Sequence, residues 1–283
     1  MPKITLNKKD TLKLIGKAIS DKQLSGAIPL IGTDLEKITK NEIEVEIFPN
    51  RPDMLSEEGF ARALSSFLGI KTGLKAYKVN KSNYKYKVDS KVKRIRPYCT
   101  AAIVKGLKFD KVSLAAIMNL QDKLHTTHGR NRKKVAMGVH DLSKIKFPLT
   151  YTTKPKSFKF RALEDKQEKT IQKILEEHPK GKDYAHLLNK SEVPIWMDAN
   201  NQVLSMPPII NSEETKVTLN TKEVFLDITG TDPIAMDQAL NILVTALADR
   251  GGKIYTVNKT PNLNPKKIKI NINTVNKLLG LNL

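Results

Sequence analysis

At 283 residues the chain is long enough for two domains, or for one domain with a smaller module, and its 40% hydrophobic content allows a sizeable core. No apolar run approaches the ~18 residues of a membrane span, the Lys-bearing start lacks a signal peptide's apolar run, and the single Cys99 excludes an intrachain disulfide or a cysteine-based zinc site, all of which fits the cytoplasm. The 49 Lys and Arg against 29 Asp and Glu leave a formal charge of +20, which favours a polyanionic partner, nucleic acid first, although a general bias toward lysine would give the same number.

In chain order, Lys8 to Ile15 reads as a short helix with Gly16 as its stop. In EIEVEIF, Ile43, Val45 and Ile47 alternate with Glu42, Glu44 and Glu46, the period of a strand with one wet face. Ser56 then caps a helix with Phe60, Leu64, Phe67 and Leu68 on one face and Gly69 at its end. Asn50, Arg51 and Asp53 before it form either a functional triplet or a turn with a local ion pair. From about Lys71 to Arg96 the chain is rich in Lys, Tyr and Asn and reads as a connecting strand or linker, with a domain boundary near residue 90. YCTAAIVKGLKF is a buried strand, and a helix capped by Ser113 turns Leu114, Ile117, Met118, Leu120 and Leu124 to a core.

KLHTTHGRNRKKVAMGVHDLSKI joins that helix to the next strand. Its loop carries Arg130, Arg132, Lys133 and Lys134, placed either to contact phosphates or simply as a solvated charge run. His125 and His128 lie three apart, but with no third His or carboxylate in the motif they read as surface histidines rather than metal ligands. His140 follows the apolar VAMGV strand, where a strand end presents a side chain to a cleft or satisfies it within the structure. Residues 146 to 162 read as strands and 169 to 178 as a helix with Ile171, Ile174 and Leu175 inward, while DYAHLLN adds a helical turn. PIWMDA and QVLSM flank Asn200 and Asn201, a two-residue hairpin turn. The hairpin pairs Trp196 with Ser205 and makes Trp196 either an aromatic wall or core filler.

Two polar clusters then interrupt apolar strands: Ser205 with Asn211 to Thr215, and Asp227 with Thr229 and Thr231. A carboxylate between Leu226 and Ile228 is costly unless paired or hydrogen-bonded. Asp227 therefore marks a candidate pocket, or else the wet face of an edge strand. Asp232 and Pro233 open a helix to about Asp249, with Met236, Leu240, Leu243 and Leu247 buried and Gly251 as its stop. KIYTVNK is a further strand. Beyond a linker from Pro261 to Pro265, IKININTVNKLLGL opens a strand and a helix with nothing to pack on, as if another domain began there.

The blocks NRPDMLSEEGFARAL, KLHTTHGRNRKKVAMGVHDLSKI, ILEEHPKGKDYAHLL, VLSMPPIINSEETKV, FLDITGTD and ALNILVTALADRGGKIY run in order over nearly the whole chain. Together they resemble the N-terminal half of the beta subunit of archaeal-type phenylalanyl-tRNA synthetases. The resemblance implies an α+β fold: a small N-terminal module over residues 1–90, a larger mixed α/β editing domain over 91–262 with mostly antiparallel or mixed sheets, and the truncated start of a further domain over 263–283. It implies hydrolysis of tyrosine mischarged on phenylalanine tRNA. It also implies that ATP, magnesium and phenylalanine bind at the synthetic site of the alpha subunit, in a heterotetramer of two alpha and two beta subunits, and that this segment uses no cofactor.

The family's editing positions match Trp196, Ser205, Asp227 and Thr229, with Trp196 replacing a smaller aliphatic residue; bacterial relatives place a histidine near His140 and a carboxylate at Asp227. The resemblance makes Ser205, Thr229 and His140 the catalytic candidates, and Asp227, Trp196 and Asn211 the substrate-binding ones. Arg130, Arg132, Lys133 and Lys134 are the candidate tRNA contacts, and no residue is assigned to a metal. An aminoacyl ester is already reactive, so a positioned water and a polarised carbonyl suffice. Ser205, Thr229 and the backbone amides of PPIINSEE would orient the water, while Asp227 would accept the phenolic hydroxyl, giving discrimination on the order of 10⁴. The rival reading is an RNA-binding or assembly module of the synthetase without hydrolytic activity, with tRNA affinity that falls steeply with salt.

Overall fold

The computed structural model describes residues 2–258 and 267–282 of a mixed α+β chain. It begins with β1 (Lys3–Asn7), α1 (Lys8–Ile15), α2 (Asp21–Ala27), β2 (Thr33–Ile38), β3 (Glu42–Ile47) and α3 (Glu57–Phe67). The three strands form an antiparallel sheet in the order β1-β3-β2. Ile43, Val45 and Ile47 are fully buried while the intervening glutamates face outward, as the alternation requires. Asn7 and Ser56 cap α1 and α3, and Gly16 and Gly69 end them in left-handed conformations. One expectation fails on α3: Phe67 is 49% exposed, and the buried face is Phe60, Ala61 and Leu64. Arg51 and Asp53 make a local two-hydrogen-bond ion pair.

The remaining elements are β4 (Val79–Asn80), β5 (Tyr86–Val88), β6 (Tyr98–Lys105), α4 (Lys111–Thr126), β7 (Val135–Asp141), β8 (Leu149–Pro155), β9 (Lys159–Phe160), β10 (Lys169–Thr170), α5 (Ile171–Glu177), α6 (Pro179–Tyr184), β11 (Glu192–Met197), β12 (Val203–Met206), β13 (Ile210–Asn211), β14 (Glu223–Gly230), α7 (Pro233–Asp249), β15 (Lys253–Thr256) and α8 (Ile272–Leu279). Two five-stranded sheets result, ordered β4-β15-β6-β14-β7 and β13-β12-β11-β8-β5. Both are antiparallel except at one edge, where β4 lies parallel to β15 and β5 parallel to β8. The segment 71–96 therefore supplies an edge strand to each sheet rather than merely connecting.

Asp110, not Ser113, caps α4; Ser113 occupies the third helical position and closes the capping box from within, its amide 2.7 Å from Asp110 Oδ1. The β11–β12 hairpin pairs Trp196 with Ser205 as expected. Asn201 takes φ 62° in its turn, and Asp198 Oδ1 accepts the amides of Asn200 and Gln202. Asp232 caps α7, which buries Met236, Leu240, Leu243 and Leu247. The expected linker Pro261 to Pro265 lies outside the described residues. After it, residues 267–271 form no strand, and α8 buries none of its side chains. No helix among the described residues is long and apolar enough to cross a membrane.

Alternation along β14 divides the interior. Val224, Leu226 and Ile228 join the core shared with α4 and α7, whereas Phe225 faces the second sheet and packs with Tyr151, Trp196 and Leu204. Asp227 and Thr229 share the face of Phe225, so the strand period delivers two polar side chains to the space between the sheets.

Candidate functional site

Asp227 lies on β14, flanked on both sides, opposite Gly138 of the edge strand β7 and Ala101 of β6. It is not on an edge strand. A Cβ on Gly138 would lie 2.5 Å from His140 Nε2 and closer still to Asp227 Oδ2, so this glycine lets the carboxylate and imidazole meet. His140 Nε2 is 2.8 Å from Asp227 Oδ2, Ser205 Oγ donates to the same oxygen at 3.0 Å, and the Thr215 hydroxyl is 2.8 Å from His140 Nδ1. A carboxylate can only accept. Nε2–H therefore donates to Asp227, while Nδ1 faces the Thr215 hydroxyl, which also lies 3.5 Å from the Leu204 carbonyl. Asp227 is only 1% exposed, yet among the described residues no donor reaches its other oxygen, Oδ1.

A cleft of about 390 Å³ opens onto this group. Ser205, Asp227, Gly138 and Asn211 line it on one side, and Asp122, His125, Arg132 and Lys180 on the other, with Ile209 beside Arg132. Burial gives the cleft a direction: the Asp227 side chain is 2% exposed and that of Asp122 is 67% exposed, so Asp227 is at the floor and Asp122 at the rim. Asn211 borders the floor with its amide 3.4 Å from the Val139 carbonyl.

The basic loop divides in two. Arg130, Asn131 and Arg132 all take positive φ, and the resulting turn points Arg132 inward. Its Nη1 donates to the carbonyls of Ile209 at 2.6 Å and Pro208 at 3.3 Å, and its guanidinium lies 4.5 Å from the Tyr184 ring centroid. Burial holds this guanidinium below the usual arginine value. Arg132 is thus a wall of the cleft, while Arg130 and Lys133 remain exposed and Lys134 pairs with Asp232 at 2.9 Å.

Three expectations about the pocket require correction. Thr229 does not line the cleft: its hydroxyl accepts from Arg96 Nε at 2.9 Å. Arg96 also donates to the carbonyls of Thr229, Arg132 and Lys133, tying β14 to the basic loop, and burial pulls its guanidinium down to about 10. Trp196 is core filler, stacked on Tyr151 at 5.0 Å and edge-on to Tyr86 and Phe225. The amides of the PPIINSEE turn are largely consumed, since those of Ile209, Ser212 and Glu213 bond carbonyls and that of Glu214 bonds Ser212 Oγ. His125 and His128 do not face a common ligand. His125 is buried with Nε2 accepting the Met137 amide at 2.8 Å, and His128 lies 2.8 Å from the Ala235 carbonyl. Among the described residues no group of three or more His, Cys, Asp or Glu is placed to hold a metal.

Arg96 and Gly138 escape a reading of the sequence, and Thr215 appears there only as the end of a polar cluster. A glycine inside an apolar strand is an available signal for Gly138. Arg96 stands among many lysines and arginines, and nothing local marks it as the one that is buried.

The B3/4 domain family model matches residues 81–261. A crystal structure of an N-terminal fragment of the phenylalanyl-tRNA synthetase beta subunit from Pyrococcus horikoshii is similar with a TM-score of 0.95 and 42% identity, covering 100% of this chain and 86% of that one. The chain belongs to the phenylalanine–tRNA ligase beta-subunit family. Among curated beta subunits it is 44% identical over 292 residues to that of Archaeoglobus fulgidus and 42% identical over 299 residues to one from Methanococcus maripaludis. Each match covers 100% of this chain and 53% of the relative, so the chain spans about half the length of these beta subunits.

Proposed function

We propose that the chain is the hydrolytic editing part of a phenylalanine–tRNA ligase beta subunit, cleaving the ester of tyrosine mischarged on phenylalanine tRNA. The observation that carries this reading is Asp227, a buried carboxylate with one oxygen fixed by Ser205 and His140 and the other left without a donor among the described residues. Tyrosine exceeds phenylalanine by one hydroxyl. An acceptor buried at the floor of a cleft gains a partner from tyrosine and stays unpaired with phenylalanine, and a site built to bond a hydroxyl discriminates on the order of 10⁴ in this way.

The same reading gives each residue a role. Ser205 and His140 bond Asp227 itself, so in this reading they hold the selecting carboxylate. A whole aromatic ring separates the phenolic oxygen from the ester. The ester then lies further along the cleft, toward Pro208, Ile209 and Arg132. Thr229 acts through Arg96 to fix the loop that carries Arg132. The ester needs a positioned water rather than a protein nucleophile, and the exposed Arg130 and Lys133 suit the phosphates that deliver it. Phenylalanine tRNA and an alpha subunit bearing the ATP- and magnesium-dependent synthetic site are the partners of this reading.

The test is deacylation of tyrosyl- and phenylalanyl-tRNA side by side, with tyrosyl-tRNA expected to be cleaved much the faster. Salt-dependent tRNA binding without hydrolysis above the spontaneous rate would instead make the chain an RNA-binding module.

A further inference from the structure

The rim of the cleft holds polar groups that the selection of tyrosine leaves unused. His125 and Arg132 side chains are 3% and 10% exposed, and both line the cleft. His125 Nε2 accepts the Met137 amide, so the neutral ring carries its proton on Nδ1, and burial keeps the ring neutral by pulling its pKa down to about 4. Neither His125 Nδ1 nor Arg132 Nε has a hydrogen-bond partner among the described residues. His125 Nδ1 and Arg132 Nη2 each stop 3.9 Å from the same oxygen, Asp122 Oδ1. That separation is too long for a hydrogen bond. His125 Nδ1, buried and unmatched, loses about 1–3 kcal/mol, and Arg132 Nη2 stops short of the same carboxylate oxygen, so the two point to an acceptor supplied from outside.

A hydroxyl fits this arrangement better than any other single group. It accepts from an N–H with its lone pairs while donating its proton to a carboxylate. An oxygen roughly 2.8 Å from each partner bridges the gap with an approximately right angle at that oxygen. A phosphate could accept from His125 and Arg132 but would be repelled by Asp122. An ammonium could satisfy Asp122 but not the two donors. The direction of the cleft names the hydroxyl: with the amino-acid side chain at the buried floor, the sugar that bears the ester comes at the exposed rim.

We propose that Asp122, His125 and Arg132 form a subsite for the free ribose hydroxyl beside the ester, on the terminal nucleotide of the tRNA. This rests on the editing reading above, and it makes Asp122 a positioning residue that fixes where the ester sits over the length of the cleft.

The experiment uses two stable analogues in which tyrosine is joined by an amide to the 3′-amino group of adenosine. One keeps the 2′-hydroxyl and the other lacks it. Calorimetry on the 283-residue chain is expected to give about tenfold or more tighter binding of the hydroxyl-bearing analogue, the range for a hydrogen bond to a charged group. Asp122 is exposed enough for Asp122→Ala to fold normally, and this variant, which keeps only the His125 and Arg132 contacts, should show a smaller hydroxyl preference than the unaltered chain. A hydroxyl preference undiminished in Asp122→Ala, or equal binding of the two analogues by the unaltered chain, would overturn the subsite while leaving editing intact. If the hydroxyl-bearing analogue binds no better than its phenylalanine counterpart and tyrosyl-tRNA is not cleaved, the editing reading falls, and the subsite with it.

Discussion

Where α1 and α3 meet the end of α7, the carboxylates of Asp10, Glu58 and Asp249 each have a cation. Asp249 receives Arg62 at 2.6 Å, Lys75 at 2.5 Å and the Tyr77 hydroxyl at 2.9 Å, while Arg250 reaches Asp10 at 2.7 Å and also bonds Glu58. At the floor of the cleft the opposite holds. Asp227 is as deeply buried, but its partners are a hydroxyl and an imidazole, and among the described residues no lysine or arginine pairs with it. Pairing with cations makes a seam that ties the helices together. Partial satisfaction leaves an acceptor whose remaining bond a substrate can supply, at a standing cost to stability.

Breaking the seam is expected to give the largest loss of stability. Arg250→Ala strands Glu58, whose side chain is 0% exposed, and should cost about 3–5 kcal/mol in denaturant unfolding. The ratio of tyrosyl- to phenylalanyl-tRNA hydrolysis by the folded fraction should not move; a changed ratio would mean that seam and cleft are coupled. His125 lies between the two cases, buried but neutral. Its value of about 4 in the folded chain is below the ordinary 6.5, so the unfolded chain takes up the proton first. The stability it contributes is present above about pH 6.5 and is lost as pH falls toward 4, about 3 kcal/mol in all. His125→Gln keeps an acceptor for the Met137 amide and should flatten stability across that window, as followed by unfolding at a series of pH values.

Gly138→Ala probes the closeness of Asp227 and His140 directly. The added methyl displaces both, so a destabilisation of roughly 1–3 kcal/mol should come with loss of tyrosyl-tRNA hydrolysis. Wild-type activity in that variant would show that the pairing of carboxylate and imidazole is dispensable. The smallest effect is expected from Arg130→Ala with Lys133→Ala. Removing these exposed cations should weaken tRNA binding and shrink the salt slope by about one for each phosphate no longer neutralised, with the amino-acid preference unchanged.

Local pattern carries much of the fold. Alternation in β3 and β14 and the caps Asn7, Ser56 and Asp232 each act within a few residues, whereas the hairpin closes on Asp198 and Gln202 rather than as a two-residue turn, and Trp196 meets Ser205 through a register shift beside Met197. What escapes is set by long-range register. The residues that give Trp196 its aromatic neighbours, that bury Arg132 against Pro208 and Ile209, and that place Arg96 beneath Thr229 come from distant parts of the chain. Ser113 reads as a cap because Asp110 and Ser113 are both cap-type residues and share one capping box. Asp227 is legible for the reason that makes it important, a carboxylate set between two aliphatic neighbours. The openness of its second oxygen is not, since it depends on which donors Ser205 and His140 bring.

That open oxygen is tested most directly by measuring hydrolysis of tyrosyl- and phenylalanyl-tRNA with Asp227→Ala and Asp227→Asn beside the unaltered chain. Loss of a hydrogen bond to a charged acceptor predicts that Asp227→Ala slows tyrosyl-tRNA cleavage by roughly 10- to 100-fold, with phenylalanyl-tRNA spared so that the ratio collapses. Asp227→Asn keeps an acceptor without the charge and should retain part of the preference. A folded Asp227→Ala chain with an unchanged rate and ratio would contradict the account and leave Asp227 as a structural residue.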